Sequence, residues 1–520
     1  MTYRTLSVVL AAVAAAALAV RLYPLVAGMP ALAQAFVTED GYLMLTVARN
    51  MALGLGMSVS EGTIATNGVQ PLATVLFAGA YLAAGADKVG GLVGVHLIQA
   101  AAALAALFAV AALARRMAGP LLGAAVWPWL VAVLWFSGPL LLLHSMNGLE
   151  TGLYTLTVAL VLLAFARVME REIAGQGARP GDGLLLGGLC GIAFLARNDG
   201  AFLVIAVLAL WGLHALAMQR AGLRATLLRV LPGAVLCLAL AAPWLLNNAL
   251  RFGSIVPISG TAQAGSFGGN AAGLPAVLFE HMTAVLPLPS GVEARAPVQV
   301  VAGLTVVAAL AWFCWRIWRQ GGPARPVVGA YLLFAGALVF FYGFVHGAPH
   351  FLSRYLAPLA PLLITAFVVS ALDVLRAVGA RPAAPVGLAL AALALAVALN
   401  ARQLWPGVRA QGHFQVVDWV AQNVDAETWV GAVQTGTLGY WHDRTINLDG
   451  KVNPEALRAR LETGDVRPYV VDSPIEVLAD WVGIASWVET EGGGFSEAFE
   501  LVVADEAANL AVLRRRATTQ

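Results

Sequence analysis

The chain has 520 residues, 60% of them hydrophobic and 12% charged, with a formal net charge of +2. A mean hydropathy of +0.78 excludes an ordinary soluble globule, and basic residues scattered over short loops give no patch for nucleic acid. Apolar runs of roughly 17–25 residues recur along the chain, each long enough to cross a ~30 Å hydrocarbon core as a helix. The fold class is therefore a polytopic α-helical membrane protein.

The first run, "RTLSVVLAAVAAAALAV", resembles a signal-peptide core, and "ALAQ" at 31–34 resembles a cleavage site. Arg21 and Pro24 separate the two, so an uncleaved first transmembrane helix is expected. About 11 crossings follow the hydropathy: 6–23, 90–114, 121–142, 149–168, 183–197, 199–218, 229–249, 298–317, 327–346, 355–375 and 384–401. Segment 71–86, "PLATVLFAGAYLAAGA", is short and opens on proline, and it is expected to lie along the outer face or half-inserted. Arg115, Arg116, Arg167, Arg171, Arg220, Arg224, Arg316, Arg319 and Arg376 then share one set of short loops, which the positive-inside rule makes cytoplasmic. This puts the N-terminus in the cytoplasm.

Three large pieces fall on the other side: a first outer loop (24–89), a second (250–297), and residues 402–520 after the membrane domain (1–401). In the last piece charges return, and runs such as "WVGAV", "TINLD" and "FELVVAD" alternate with helical stretches, as in a small extracytoplasmic α/β domain. The three cysteines, Cys190, Cys237 and Cys314, lie in apolar runs and match neither a disulfide framework nor a metal site.

Polar residues collect at the outer edge. They are Glu39 and Asp40 in "TEDGYLMLTVARN", His144, Asn147 and Glu150 in "HSMNGLETGLY", and Arg197, Asn198 and Asp199 in "LARNDGAF". Arg251 follows in "NNALRFGS", then His346, His350, Arg354 and Tyr355 in "VHGAPHFLSRYLAP". Taken singly, each has an ordinary reading as a snorkelling arginine, a helix cap or a first-turn acid opposing a helix dipole. Gathered on one face, they point to chemistry. A carboxylate can take the proton of an attacking hydroxyl, and arginines can stabilise phosphate charge as it develops. Outside the cytoplasm the phosphate donor at hand is a lipid, which suggests a sugar carried on polyprenyl phosphate.

The chain resembles the GT-C superfamily of integral membrane glycosyltransferases that use polyprenyl-phosphate sugars. The resemblance rests on the outer-loop acids, "ARNMALGLGMSVSEG", "TNGVQPL", "NGLETGLY", "RND", "RYLAP" and "GTLGYWHDRTINLDGKVNP", and its pattern is closest to the branch of the mycobacterial terminal arabinofuranosyltransferase. It implies a GT-C-like core and an inverting transfer of a sugar, with arabinofuranose the first choice. The acceptor would be an envelope glycan, lipid or protein at the bacterial inner membrane. It places the catalytic base at Glu39 by position or at Asp40 by residue type, and only one should reach the acceptor, since adjacent helical residues point about 100° apart.

By the same resemblance, Arg354 and Tyr355 bind the donor phosphate, with His350 assisting; Arg251 and Arg197, from their place at the same edge, are further candidates for that phosphate. Thr66, Asn67, Gln70, Asn147, Glu150, Asn198, Asp199 and Trp441 are the sugar or acceptor contacts, Gln70 standing where family members often carry histidine. No metal is expected, because no acidic cluster beyond Glu39–Asp40 asks for one. The competing reading is a lipid-linked sugar flippase or exporter without transferase activity. Such proteins usually carry internal repeats and midplane polar residues, and neither stands out here.

Overall fold

The computed structural model describes residues 2–218, 222–265, 267–283, 296–346, 353–404, 412–489 and 494–517. Among these, nine helices are long and apolar enough to cross a membrane. Val126–Ser137 and Pro139–Met146 add a broken span bent by 63°. The break follows from the chain: Gly138 is extended (φ −60°, ψ 123°), and Pro139 cannot donate back into the preceding turn. Helix Pro180–Ala196, with 17 residues, completes the set read from the sequence at a length of about 26 Å. Helix Pro71–Ala83 has only 13 residues, about 20 Å, and falls short of a hydrocarbon core. The protein is a multi-pass membrane protein.

Within segment 24–89, helix Glu39–Ala52 follows the short helix Met29–Gln34. It starts where the Thr38 hydroxyl accepts the Gly41 N–H, and its first turn carries both acids, favourable at the positive end of a helix dipole. A two-stranded hairpin, β1 (Ser58–Val59) with β2 (Ile64–Ala65), follows.

The C-terminal domain is built on a five-stranded sheet: β3 (Val430–Ala432), β4 (Thr445–Asn447), β5 (Val477–Asp480), β6 (Phe499–Asp505) and β7 (Leu510–Arg515), in the order β4-β3-β5-β7-β6. β4, β3 and β5 are parallel, and β5–β7 and β7–β6 are antiparallel. Alternation along the strands splits the core in two. Val477, Ala479 and Val512 pack with Val416 and Val420 of helix Phe414–Asn423 on one face. Leu478, Ala511 and Leu513 pack with Ala456 and Phe495 on the other.

The loops at the carboxyl ends of β3 and β4 meet segment 24–89 of the chain, and the amino end of β4 is fastened to the same segment. The Ser60 hydroxyl donates to the Thr445 carbonyl (2.6 Å), and Glu61 pairs with Arg444 (2.9 Å). Arg49 and Lys88 both lie 3.0 Å from Asp443, and the Tyr440 hydroxyl donates to the Lys88 carbonyl (2.6 Å).

Candidate active site

A cavity of about 390 Å³ opens between the membrane domain and the C-terminal domain. Asp40, Gln70, Glu150, Arg197, Asn198, Asp199, Arg354 and Tyr355 line it, together with Lys451 from the loop after β4. Phe194, Phe202, Leu245, Ile255, Val256 and Phe341 give it an apolar wall.

The adjacent acids are split by the turn of their helix. Glu39 faces the C-terminal domain and lies outside the cavity lining: its carboxylate accepts the N–H groups of Gly436 and Thr437 (3.1 Å for the latter) and the Thr437 hydroxyl. Position 436 admits no side chain, because a Cβ there would lie 1.8 Å from the Glu39 carbonyl oxygen. Asp40 faces the cavity, with Oδ2 2.6 Å from Arg354 and Oδ1 3.5 Å from the Lys451 ammonium. Burial alone would raise the Asp40 carboxyl, but the charges of Arg354 and Lys451 outweigh it and hold the group well below the usual carboxylate range.

Arg354 and Tyr355 come from a tight turn, Ser353–Leu359, ahead of helix Ala360–Ala377. Tyr355 stacks on Tyr342 with centroids 4.4 Å apart. Tyr342 is delivered by a single wide turn, Phe341–Val345, at the end of helix Ala324–Phe340; such π-type turns often occur at functional sites. The Tyr342 hydroxyl donates to Asp199 (2.6 Å) and accepts from Arg197 (2.7 Å). Arg197 also pairs with Asp199 (2.9 Å) and Glu150 (3.6 Å). Opposite, the Gln263 carbonyl oxygen meets the Tyr355 hydroxyl (3.4 Å) and the His346 imidazole (3.2 Å).

Several expected contacts shape the site from behind. Thr66 accepts the Gly68 N–H and Asn67 accepts the Ile258 N–H (3.1 Å), and together they fix the loop that carries Gln70 into the cavity. The Asn147 carbonyl accepts from the Thr38 backbone and hydroxyl, both at 3.1 Å, holding the start of the acidic helix. Asn198 accepts from the Trp244 indole (3.3 Å). Arg251 is exposed and lies away from the cavity, and Trp441 is half-buried against Tyr440, also outside the lining. His350 falls outside the described residues. Among the described residues no group of three or more His, Cys, Asp or Glu side chains is placed to hold a metal ion.

Similarity to solved structures extends over almost the whole chain. The crystal structure of ArnT from Cupriavidus metallidurans bound to undecaprenyl phosphate matches with a TM-score of 0.57 at 16% identity, covering 98% of this chain and 98% of that one. The archaeal oligosaccharyltransferase AglB from Archaeoglobus fulgidus, in complex with an inhibitory peptide and a dolichol-phosphate, matches with a TM-score of 0.57 at 13% identity, covering 95% of this chain and 72% of that one. The fold is the GT-C fold. Its C-terminal part matches a family described as a domain of unknown function (DUF8728), over residues 402–512. No curated protein sequence matches the chain.

Lys451, Tyr342 and Gln263 are among the cavity residues that sequence reasoning missed. A signal for the lysine was present. "TINLDGK" places it just past the carboxyl end of an expected strand, where α/β domains present their ligand-binding groups.

Proposed function

We propose that the protein is an inverting glycosyltransferase that moves a sugar from a polyprenyl-phosphate donor to an envelope glycan, lipid or protein on the extracytoplasmic side. The observation that carries this reading is Asp40: a carboxylate in a cavity with an apolar wall, bonded to cations that can hold a phosphate, in a GT-C fold. Solved structures of this fold bind undecaprenyl phosphate in ArnT and a dolichol-phosphate in AglB, which supports a lipid-linked donor here.

In the proposed reaction Asp40 takes the proton of the acceptor hydroxyl as that oxygen bonds to the anomeric carbon. The bond from this carbon to the phosphate oxygen breaks, and its electron pair leaves with the polyprenyl phosphate. Arg354 stabilises the charge that develops there. Tyr355, stacked on Tyr342, orients Arg354 with its ring 5.4 Å from the guanidinium, while Gln70, Asn198 and the Arg197 group contact the sugar. The resemblance in sequence makes arabinofuranose the first sugar to try. The proposed setting is the bacterial inner membrane, with the N-terminus cytoplasmic and the C-terminal domain outside.

Purified protein in lipid, offered a panel of polyprenyl-phosphate sugars with envelope glycan as acceptor, tests the reading through release of polyprenyl phosphate. Turnover of one donor, lost in Asp40→Asn, supports it. Movement of labelled lipid-linked sugar across the bilayer without turnover overturns it.

A further inference from the structure

Lys451 is anchored at its backbone and loosely paired at its tip. A Cβ on Gly68 would lie 1.9 Å from the Lys451 carbonyl oxygen, so the outer loop presses directly on this backbone. The Lys451 N–H donates to Asp449 (2.8 Å). The side chain is 23% exposed, and its ammonium is shared between Asp449 (3.2 Å) and Asp40 (3.5 Å). The Asp40 contact is long beside the 2.6 Å bond from Arg354, and a lysine tip can turn between acceptors on its four-carbon stem.

Charge conservation gives this loose pairing a use, on the reading proposed above. Before transfer, Asp40 carries one negative charge and a phosphodiester donor carries another. Afterwards Asp40 is protonated and neutral, and the departing phosphate monoester holds both charges. The cations that Asp40 needs at the start are those the phosphate needs at the end.

We propose that Lys451, supplied by the C-terminal domain, is a ligand of the donor phosphate, and that it passes with Arg354 from Asp40 to the leaving phosphate as the proton moves onto Asp40. The active site is then incomplete without the C-terminal domain. Asp40 and the phosphate compete for the same pair of cations, and protonating one strengthens the hold on the other.

The test is binding of undecaprenyl phosphate to the full-length protein in nanodiscs, with undecaprenol as the uncharged control. Lys451→Met should weaken undecaprenyl phosphate binding about tenfold or more, with Lys451→Arg restoring most of it and undecaprenol binding unchanged. Asp40→Asn, which mimics the protonated acid, should bind undecaprenyl phosphate several-fold more tightly than the wild type. Thermal unfolding midpoints matching the wild type show that the variants remain folded. A Lys451→Met protein that binds undecaprenyl phosphate like the wild type sinks the lysine's role, and an Asp40→Asn protein that binds no more tightly sinks the exchange. A wild type that does not prefer undecaprenyl phosphate over undecaprenol removes the glycosyltransferase reading, and this inference with it.

Discussion

Two arginines face the same cavity and are held in opposite ways. Arg197, 5% exposed at its side chain, is enclosed by Asp199, Glu150 and the Tyr342 hydroxyl, with the ring of Tyr355 at 5.2 Å. Arg354, 16% exposed, is bonded to Asp40, which is itself 25% exposed and shared with Lys451. The first arginine belongs to an enclosed network in which it is the cation shared by two carboxylates. The second belongs to a set of charges able to exchange partners, which is what a reaction that moves a charge requires. A polar cavity thus divides into a part that holds its shape and a part whose ion pairs can exchange partners.

Substitutions should separate the two parts, and the largest effect is expected at Asp40. Asp40→Asn should lower kcat about 10³-fold with the protein still folded, as removal of a general base does. Arg354→Gln should lower kcat/KM by about 10²–10³-fold, read in the same release assay. Arg197→Met should act mainly on stability, with a smaller loss of rate from its place beside the sugar, leaving Asp199 and Glu150 buried without their cation at a cost of ~3–5 kcal/mol seen as a lower unfolding midpoint. Rate loss without destabilisation at Arg197 would break the comparison.

Glu39→Gln should have a smaller effect, loosening residues 436–441 by ~1–3 kcal/mol in hydrogen exchange while turnover persists. If Glu39→Gln abolishes turnover and Asp40→Asn does not, the base is Glu39. The smallest effect concerns Asp480, which accepts the N–H groups of Val433 (2.5 Å), Gln434 (3.0 Å) and Trp481 (2.7 Å). Burial pushes its carboxyl up to about 7 despite these bonds. A folded-state value raised above the unfolded one means that this carboxyl's contribution to stability is full below pH ~4 and is lost as the pH rises toward about 7, by at most ~1.4 kcal/mol per unit. Asp480→Asn should flatten that slope in thermal unfolding followed from pH 5 to 8.

The membrane class, the apolar segments and a C-terminal domain with a sheet were legible because hydropathy and strand alternation are local signals. Helical geometry likewise required Glu39 and Asp40 to point apart. Their division of labour was not legible: Glu39 turns to Gly436 and Thr437, nearly 400 residues away in the chain, and no periodicity carries that information. Lys451 stayed hidden for the same reason, as a single cation in a loop whose target lies in another domain. Tyr342 reads as one more aromatic in an apolar run until the wide turn at Phe341–Val345 brings it to the cavity.

The seating of the parallel strand ends on the first outer loop also sets a schedule for synthesis. Asp40 is made early and Lys451 lies 411 residues later. At 5–20 residues per second, roughly 20–80 s separate the two during translation. The helix that carries Asp40 is thus made long before the lysine that Asp40 meets in the folded chain.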